Sequence, residues 1–221
     1  MKTINTDDVG FLCFDFDGVI LDTIEMKKRA FTQIYEQLNK SQIAYIEQFQ
    51  MKNGGVDRFA KFAHFERKLF GKEISRERLE LLSSRLSEII FKNIADCDFI
   101  GGVMEFINSA SKQRLPCGVA SAMPCAELEL ILKKFQIRNE FQFVSGMPTP
   151  KKEQLQFWHK RFATPGMKGL YFGDTLKDFE AADYAGFDFI GIGSNQDFTD
   201  RSIFAVQDFK YLKLSVGNKV A

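Results

Sequence analysis

Five short apolar runs lie along the chain, and the later ones alternate with segments whose apolar residues have helical spacing. The runs cover residues 11–14, 115–120, 141–144, 169–172 and 187–193, and the helical segments cover residues 102–112, 125–135, 151–162 and 178–185. Continuous apolar strands that alternate with helices are typical of a parallel sheet covered by helices on both faces. The pattern therefore predicts an α/β fold with a doubly wound parallel sheet.

The interval between residues 24 and 98 has a different pattern, since it is polar, helical and without a strand-like run. Its apolar residues recur at intervals of three and four positions, as in amphipathic helices, for example from Phe59 to Phe70 and from Leu79 to Ile90. The Asn-Gly-Gly sequence at residues 53–55 is typical of a loop and divides the interval into two parts. We therefore predict a core domain over residues 1–23 and 99–221 and an inserted helical domain over residues 24–98.

Composition and charge restrict the classes of partner. The 30 basic and 29 acidic residues give a net charge of +1, which provides no general attraction to nucleic acid or to an anionic membrane. No apolar run approaches the roughly 20 residues of a membrane span, and the first ten residues do not resemble a signal peptide. The four cysteines lack metal-site spacing, and the 24 phenylalanines indicate a Phe-rich core. We expect a cytoplasmic monomer or weak homodimer that binds neither nucleic acid nor membranes.

Acidic residues follow two of the apolar runs, at the edge where a doubly wound sheet binds its ligands. Asp15 and Asp17 follow the first run, and Gly18 permits a sharp turn after them. Neighbouring carboxylates repel each other unless a cation lies between them, and Mg²⁺ prefers oxygen ligands. Asp174 follows a later run and Asp178 lies one helical turn further on. Turn formation and helix capping are the alternative interpretations, but two acidic strand ends in one sheet favour a shared metal site.

Two further segments are candidates for binding an anion. Ser121 and Ala122 follow the run at residues 115–120, where a hydroxyl and backbone N–H groups at a helix start would bind a phosphate. An ordinary helix cap is the alternative interpretation of Ser121. Lys151 and Lys152 lie at the predicted start of a helix, where the helix dipole disfavours lysine, so a ligand or an acidic partner would explain them. A solvated lysine pair is the other interpretation.

The motifs resemble those of the haloacid dehalogenase superfamily. Residues 15–23 are similar to its first motif, D-x-D-G-x-x-x-D-S/T, and residues 173–186 are similar to its fourth, G-D-S/T-x-x-D-x-x-A-A-x-x-A-G. Residues 119–121 resemble the second motif, an apolar strand that ends in Ser or Thr. The third motif differs, because Met147 stands where many relatives have lysine. Some bacterial relatives have Gly-Ser-Pro-x-x-Lys instead, and on that pattern Lys151 is the functional lysine, with Lys152 as the fallback.

The resemblance implies a Rossmann-like core with an inserted type 1 helical cap, as in phosphoglycolate phosphatase and β-phosphoglucomutase-like proteins. It implies that Asp15 is the nucleophile and a Mg²⁺ ligand. Asp17 would protonate the leaving oxygen and then activate water, while its backbone carbonyl binds the metal. Asp174 would complete the metal ligands, and Asp178 would support it or orient the lysine.

Substrate contacts are implied in the same way. Ser121, the amide of Ala122 and Lys151 would hold the phosphoryl group. Residues 55–58 resemble the specificity loop of the cap, so Gly55 and Arg58 would contact the part of the substrate that does not react. A solvated arginine is the alternative interpretation of Arg58.

The implied function is a Mg²⁺-dependent phosphatase that hydrolyses a small-molecule phosphate ester, for example a sugar phosphate, through an aspartyl phosphate. Asp17 favours ester hydrolysis, because dehalogenases of the superfamily lack this second acid. A β-phosphoglucomutase-like mutase is the enzymatic alternative. A catalytically silent binding or regulatory protein is the alternative from another class.

Overall fold

A computed structural model describes residues 1–35, 37–163 and 166–215 and divides the chain into two compact units. The first unit comprises Met1–Asp22 and Asp98–Ala221, and the second comprises Thr23–Cys97. The strands are β1 Lys2–Asn5, β2 Val9–Phe14, β3 Cys117–Pro124, β4 Phe143–Met147, β5 Lys168–Gly173, β6 Asp188–Ile192, β7 Ala205–Val206 and β8 Leu212–Ser215. The helices are α1 Ile24–Ile34, α2 Lys40–Lys52, α3 Arg58–Phe70, α4 Arg76–Asn93, α5 Val103–Lys112, α6 Cys125–Lys134, α7 Lys151–Phe162, α8 Leu176–Ala185 and α9 Gln196–Asp200.

The first unit is built on a six-stranded parallel sheet with the strand order β4-β3-β2-β5-β6-β7. The prediction of an α/β fold with a parallel sheet is therefore confirmed. The chain runs from β2 through β3 to β4 in one direction and then returns to place β5 on the other side of β2. This reversal makes the carboxyl end of β2 a topological switch point, where such sheets bind ligands. Strands β1 and β8, which the sequence did not predict, form a separate parallel pair.

Phenylalanine rings cover the central strands, as the composition indicated. The Phe14 ring of β2 stacks on Phe172 of β5 at a centroid distance of 4.9 Å. The Phe11 ring packs edge-on against Phe187 at 5.2 Å and against Phe143 at 6.0 Å. Burying a side chain of this size stabilises the fold by about 1.5–3 kcal/mol. The two strands whose ends carry the acidic motifs are therefore fixed by a buried aromatic layer.

The second unit contains four α-helices in its described residues, and the predicted loop at residues 53–55 separates α1 and α2 from α3 and α4. The sequence did not predict the other two breaks, which separate Ile34 from Lys40 and Phe70 from Arg76. Capping explains both. Asn39 and Gln42 form a capping box at the start of α2, and the hydroxyl of Ser75 accepts a hydrogen bond from Arg78 N–H at the start of α4. No helix in the described part of the chain is long and apolar enough to cross a membrane.

Candidate active site

Asp15 is the first residue after β2, at the switch point of the sheet. Its N–H donates to the carbonyl of Phe172 on β5 at 2.8 Å, and its Oδ1 accepts from the N–H of Phe16 at 2.7 Å. Gly18 follows with a φ of 72°, a left-handed conformation that favours glycine, so the chain turns directly after Asp17. The predicted sharp turn is therefore present, and it leaves the Asp15 side chain only 5% exposed.

Lys151, the first residue of α7, pairs with two carboxylates. Its Nζ lies 3.0 Å from Asp15 Oδ2 and 2.5 Å from Asp178 Oδ1. Burial lowers the pKa of Lys151, but the charges of Asp15 and Asp178 outweigh this effect and raise the pKa above its usual range. Lys152, in contrast, is exposed, and its Nζ lies 5.4 Å from the ring centroid of Tyr184. Of the two lysines, the structure places Lys151 in the carboxylate cluster.

Asp178 is fully buried, and both of its carboxylate oxygens accept hydrogen bonds. Oδ2 accepts from the N–H and the hydroxyl of Thr175, which caps α8. Oδ1 accepts from Lys151, and the Tyr171 hydroxyl oxygen lies 3.4 Å from it. Gly173 permits this packing, because a Cβ at that position would overlap the Cβ of Asp178. The sequence suggested that Asp178 either supports the metal ligands or orients the lysine, and these contacts favour the second role.

The acidic cluster fits a divalent cation. One oxygen each from Asp15, Asp174 and Asp178 lies within 4.8 Å of the others. Burial raises the pKa of Asp15 to about 7, helped by Asp178 and Asp17 and opposed by Lys151. Burial and the charges of Asp178 and Asp15 likewise raise the pKa of Asp174 well above its usual range. The ammonium group of Lys151 pairs with two of these three carboxylates, and Mg²⁺, which prefers oxygen ligands, would offset the excess negative charge.

Asp17 lies near this cluster in the chain but contributes no side-chain oxygen to it. The resemblance assigned Asp17 to the metal through its backbone carbonyl, with the side chain left for acid and base chemistry. That division of roles stays a prediction.

Ser121 and Ala122 lie within β3, because this strand continues to Pro124 and α6 begins only at Cys125. The expectation that they start a helix was therefore wrong. Ser121 is fully buried, and its Oγ accepts from the N–H of Met123 at 3.1 Å. Because this bond uses an oxygen lone pair, the hydroxyl hydrogen can still be donated to an anion.

Two positioning residues were missed by the sequence reasoning. The Tyr171 hydroxyl donates to the Ala120 carbonyl at 3.0 Å, directly before Ser121. Asn195 Nδ2 donates to the Asp174 carbonyl at 2.9 Å and fixes the backbone of that residue. Tyr171 could have been suspected, since a buried hydroxyl in an apolar strand requires a partner.

The two candidate specificity residues lie in the helical unit. Gly55 is half-buried in the turn before α3, and Arg58 is the first residue of that helix. The Arg58 side chain is only 5% exposed, and its Nη1 donates to the Ser83 carbonyl at 3.3 Å and to Ser87 Oγ at 2.7 Å. Arg58 therefore has a structural role between α3 and α4, so it is not a solvated arginine. Its contact with a substrate stays a prediction.

A buried carboxylate cluster and Lys151 lie at the switch point of a parallel sheet. This arrangement agrees with the family that the sequence motifs resemble. Residues 12–192 match the family model of the haloacid dehalogenase-like hydrolases, and the chain belongs to this family. No protein of curated function matches the chain.

Solved structures of low sequence identity share the fold. β-Phosphoglucomutase from Clostridium difficile is 16% identical, with a TM-score of 0.72 over 93% of this chain and 93% of that one. A predicted phosphoglycolate phosphatase from Haemophilus somnus is 17% identical, with a TM-score of 0.70 over 91% and 95%. CbbY from Rhodobacter sphaeroides, in complex with xylulose-(1,5)bisphosphate, is 16% identical, with a TM-score of 0.74 over 93% and 97%.

Proposed function

We propose that the chain is a Mg²⁺-dependent phosphatase that hydrolyses a small-molecule phosphate ester through a phosphoryl group on Asp15. The observation that carries this proposal is the buried position of Asp15 at the switch point, with Lys151 Nζ 3.0 Å from its carboxylate. An acid that shares a site with other acids is a poor structural element, since burial and repulsion destabilise its charged form. The arrangement is useful only where the carboxylate must react or bind a cation.

In the proposed reaction, the Asp15 carboxylate attacks phosphorus while the bond to the leaving oxygen breaks. Asp17 donates its proton to that oxygen and then accepts a proton from the water that attacks the phosphoryl group. Inorganic phosphate leaves, and the Asp15 carboxylate is restored. A Mg²⁺ held by Asp15, Asp174 and the Asp17 carbonyl would offset the repulsion between the anionic nucleophile and the anionic phosphate.

Positive charge and hydrogen-bond donors are the other requirement, because phosphoryl transfer depends mainly on positioning and electrostatic stabilisation. Lys151 supplies the charge, and Asp178 holds its ammonium group in place. The Ser121 hydroxyl and the Ala122 N–H, on neighbouring residues of β3, supply the donors. The charge on α7 and the two donors on β3 would together bind the oxygens of the phosphoryl group.

The helical unit at Thr23–Cys97 is proposed to be the type 1 cap, with Gly55 and Arg58 influencing substrate preference. A small substrate agrees with the net charge of +1, which does not favour nucleic acid. A cytoplasmic location and a monomer or weak homodimer stay predictions.

The test is hydrolysis of p-nitrophenyl phosphate with and without Mg²⁺. We expect activity that requires the metal and that Asp15→Asn abolishes. The matched control is Asp188→Asn, which removes a carboxylate from an exposed ion pair with Lys168 and should leave turnover unchanged. Metal-independent turnover, or full activity in Asp15→Asn, would contradict the proposal.

A mutase is the second candidate function, because β-phosphoglucomutase from Clostridium difficile has the same fold. Product analysis with sugar phosphates separates the two functions, because a phosphatase releases inorganic phosphate and a mutase returns an isomeric sugar phosphate. Binding of phosphate esters without either product would indicate the silent binding protein.

A further inference from the structure

A buried amide joins the two phosphate-binding segments of the proposed site. Gln154 lies on α7 and is only 2% exposed. Its Nε2 donates to the Ser121 carbonyl at 3.1 Å and to the Thr149 carbonyl at 2.6 Å. The first acceptor lies on β3, and the second lies two residues before Lys151. One side chain therefore holds both segments.

The orientation of this amide is determined by its surroundings. Oε1 of Gln154 accepts from the Ser145 hydroxyl at 3.0 Å, and Ser145 Oγ accepts from Trp158 Nε1 at 2.9 Å. An indole N–H can only donate, so Ser145 Oγ accepts from Trp158, and its hydroxyl hydrogen is left for Gln154 Oε1 at 3.0 Å or for the more distant Val119 carbonyl at 3.4 Å. The reversed amide would place its oxygen against two carbonyl oxygens. The Nε2 group is thus fixed toward Ser121 and Thr149.

We propose that Gln154 is a positioning residue that orients the Ala122 N–H toward the phosphoryl group. The Ser121 carbonyl and the Ala122 N–H belong to one planar peptide unit, in which they point in opposite directions. A hydrogen bond that fixes the carbonyl therefore fixes the N–H on the other side of the plane. Donation to the carbonyl also polarises the peptide and strengthens its N–H as a donor.

The preceding peptide is held in the same way. The Tyr171 hydroxyl donates to the Ala120 carbonyl, so both peptide units that flank Ser121 have a buried side-chain donor. A strand segment whose peptide units are both held presents its donors without rearrangement when an anion binds, which is the condition for effective electrostatic stabilisation. The inference rests on the proposed function, because it assigns phosphate binding to the segment at Ser121 and Ala122.

The test compares Gln154→Leu with Leu155→Ala, a matched control on the same helix. Leu155 is fully buried, so its truncation loosens α7 without removing a hydrogen bond of the amide. The readouts are the inhibition constant of inorganic phosphate against p-nitrophenyl phosphate and the activation constant of Mg²⁺. We expect Gln154→Leu to raise the inhibition constant about fivefold or more, which corresponds to one neutral hydrogen bond. The Mg²⁺ constant should not move, and Leu155→Ala should change neither.

Several outcomes decide the proposal. An unchanged inhibition constant in folded Gln154→Leu overturns it, and so does a parallel change of both constants in both variants, which indicates general loosening. If Gln154→Leu does not fold, Gln154→Met keeps the length of the side chain, removes the Nε2 donor and should weaken phosphate binding in the same selective manner. An unchanged constant in Gln154→Met then overturns the proposal. If the wild-type protein neither hydrolyses the ester nor binds inorganic phosphate, the proposed function itself fails.

Discussion

Replacing Asp15 by asparagine should make the metal-free protein more stable above neutral pH. Burial raises the pKa of Asp15 to about 7, with further contributions from Asp178 and Asp17 and against the opposing charge of Lys151. A carboxyl group with a raised pKa in the folded state stabilises the fold when protonated. That stability is complete below the pKa of the unfolded chain and is lost as the pH rises through the folded-state pKa.

The size of the effect follows from the two pKa values. The unfolded-chain pKa of about 3.9 and the folded-state value of about 7 differ by about 3 units, which corresponds to about 4 kcal/mol. Between pH 5 and pH 8 the expected change is roughly 2–3 kcal/mol, because the unfolded chain has lost most of its proton by pH 5. Asparagine does not ionise, so Asp15→Asn removes this dependence. Asp178 still pairs with Lys151 in the variant.

The assay is urea unfolding in the presence of a chelator at several pH values. The single tryptophan, Trp158, packs against the core of the first unit, so its fluorescence reports on that unit. We expect the free energy of unfolding of Asp15→Asn to increase relative to that of the wild type as the pH rises. Asp188→Asn removes an exposed ion pair, which contributes only about 0–1 kcal/mol, and is the control. A difference between Asp15→Asn and wild type that does not change with pH would refute the reasoning.

Three other substitutions test the packing of the site. Tyr171→Phe should lower the free energy of unfolding by about 1–3 kcal/mol in a urea unfolding assay, because the buried Ala120 carbonyl loses this donor. In steady-state assays it should lower kcat with little change in the activation constant of Mg²⁺. Gly173→Ala should strongly reduce activity, since the added Cβ displaces Asp178, and wild-type activity would contradict this. Arg58→Ala should destabilise the second unit, because the Ser83 carbonyl and Ser87 Oγ lose a donor. It should also change the order of activity among phosphorylated metabolites, and an unchanged order would show that Arg58 has no role in specificity.

The sheet and the acidic residues at its edge could be predicted because they depend on local patterns. Apolar runs mark the buried strands, and Asp15 and Asp174 follow them directly, at positions that the parallel topology brings together. The helix start, which disfavours lysine unless it has an acidic partner, indicated Lys151 and Lys152 together, and the resemblance to the Gly-Ser-Pro-x-x-Lys pattern selected Lys151. The structure provides two such partners for Lys151.

The parts that were missed depend on contacts between distant segments. Tyr171 and Gln154 donate to carbonyl groups more than 30 positions away in the chain, and a local pattern can indicate at most that such a buried group needs a partner, not which partner it has. The extent of β3 was misjudged because the strand continues to Pro124, past the last residue of its apolar run. The short edge strand β7 has only two residues and therefore carries no periodic pattern.

The central claim is that Asp15 carries the phosphoryl group. The most direct measurement is acid quenching during turnover of a phosphate ester with Mg²⁺, followed by peptide mapping for an acyl phosphate. We expect the phosphoryl group on Asp15 in the wild-type protein, more of it in Asp17→Asn, where water activation is impaired, and none in Asp15→Asn. Turnover with the phosphoryl group on another residue, or without a phosphoenzyme in both the wild type and Asp17→Asn, would contradict the claim.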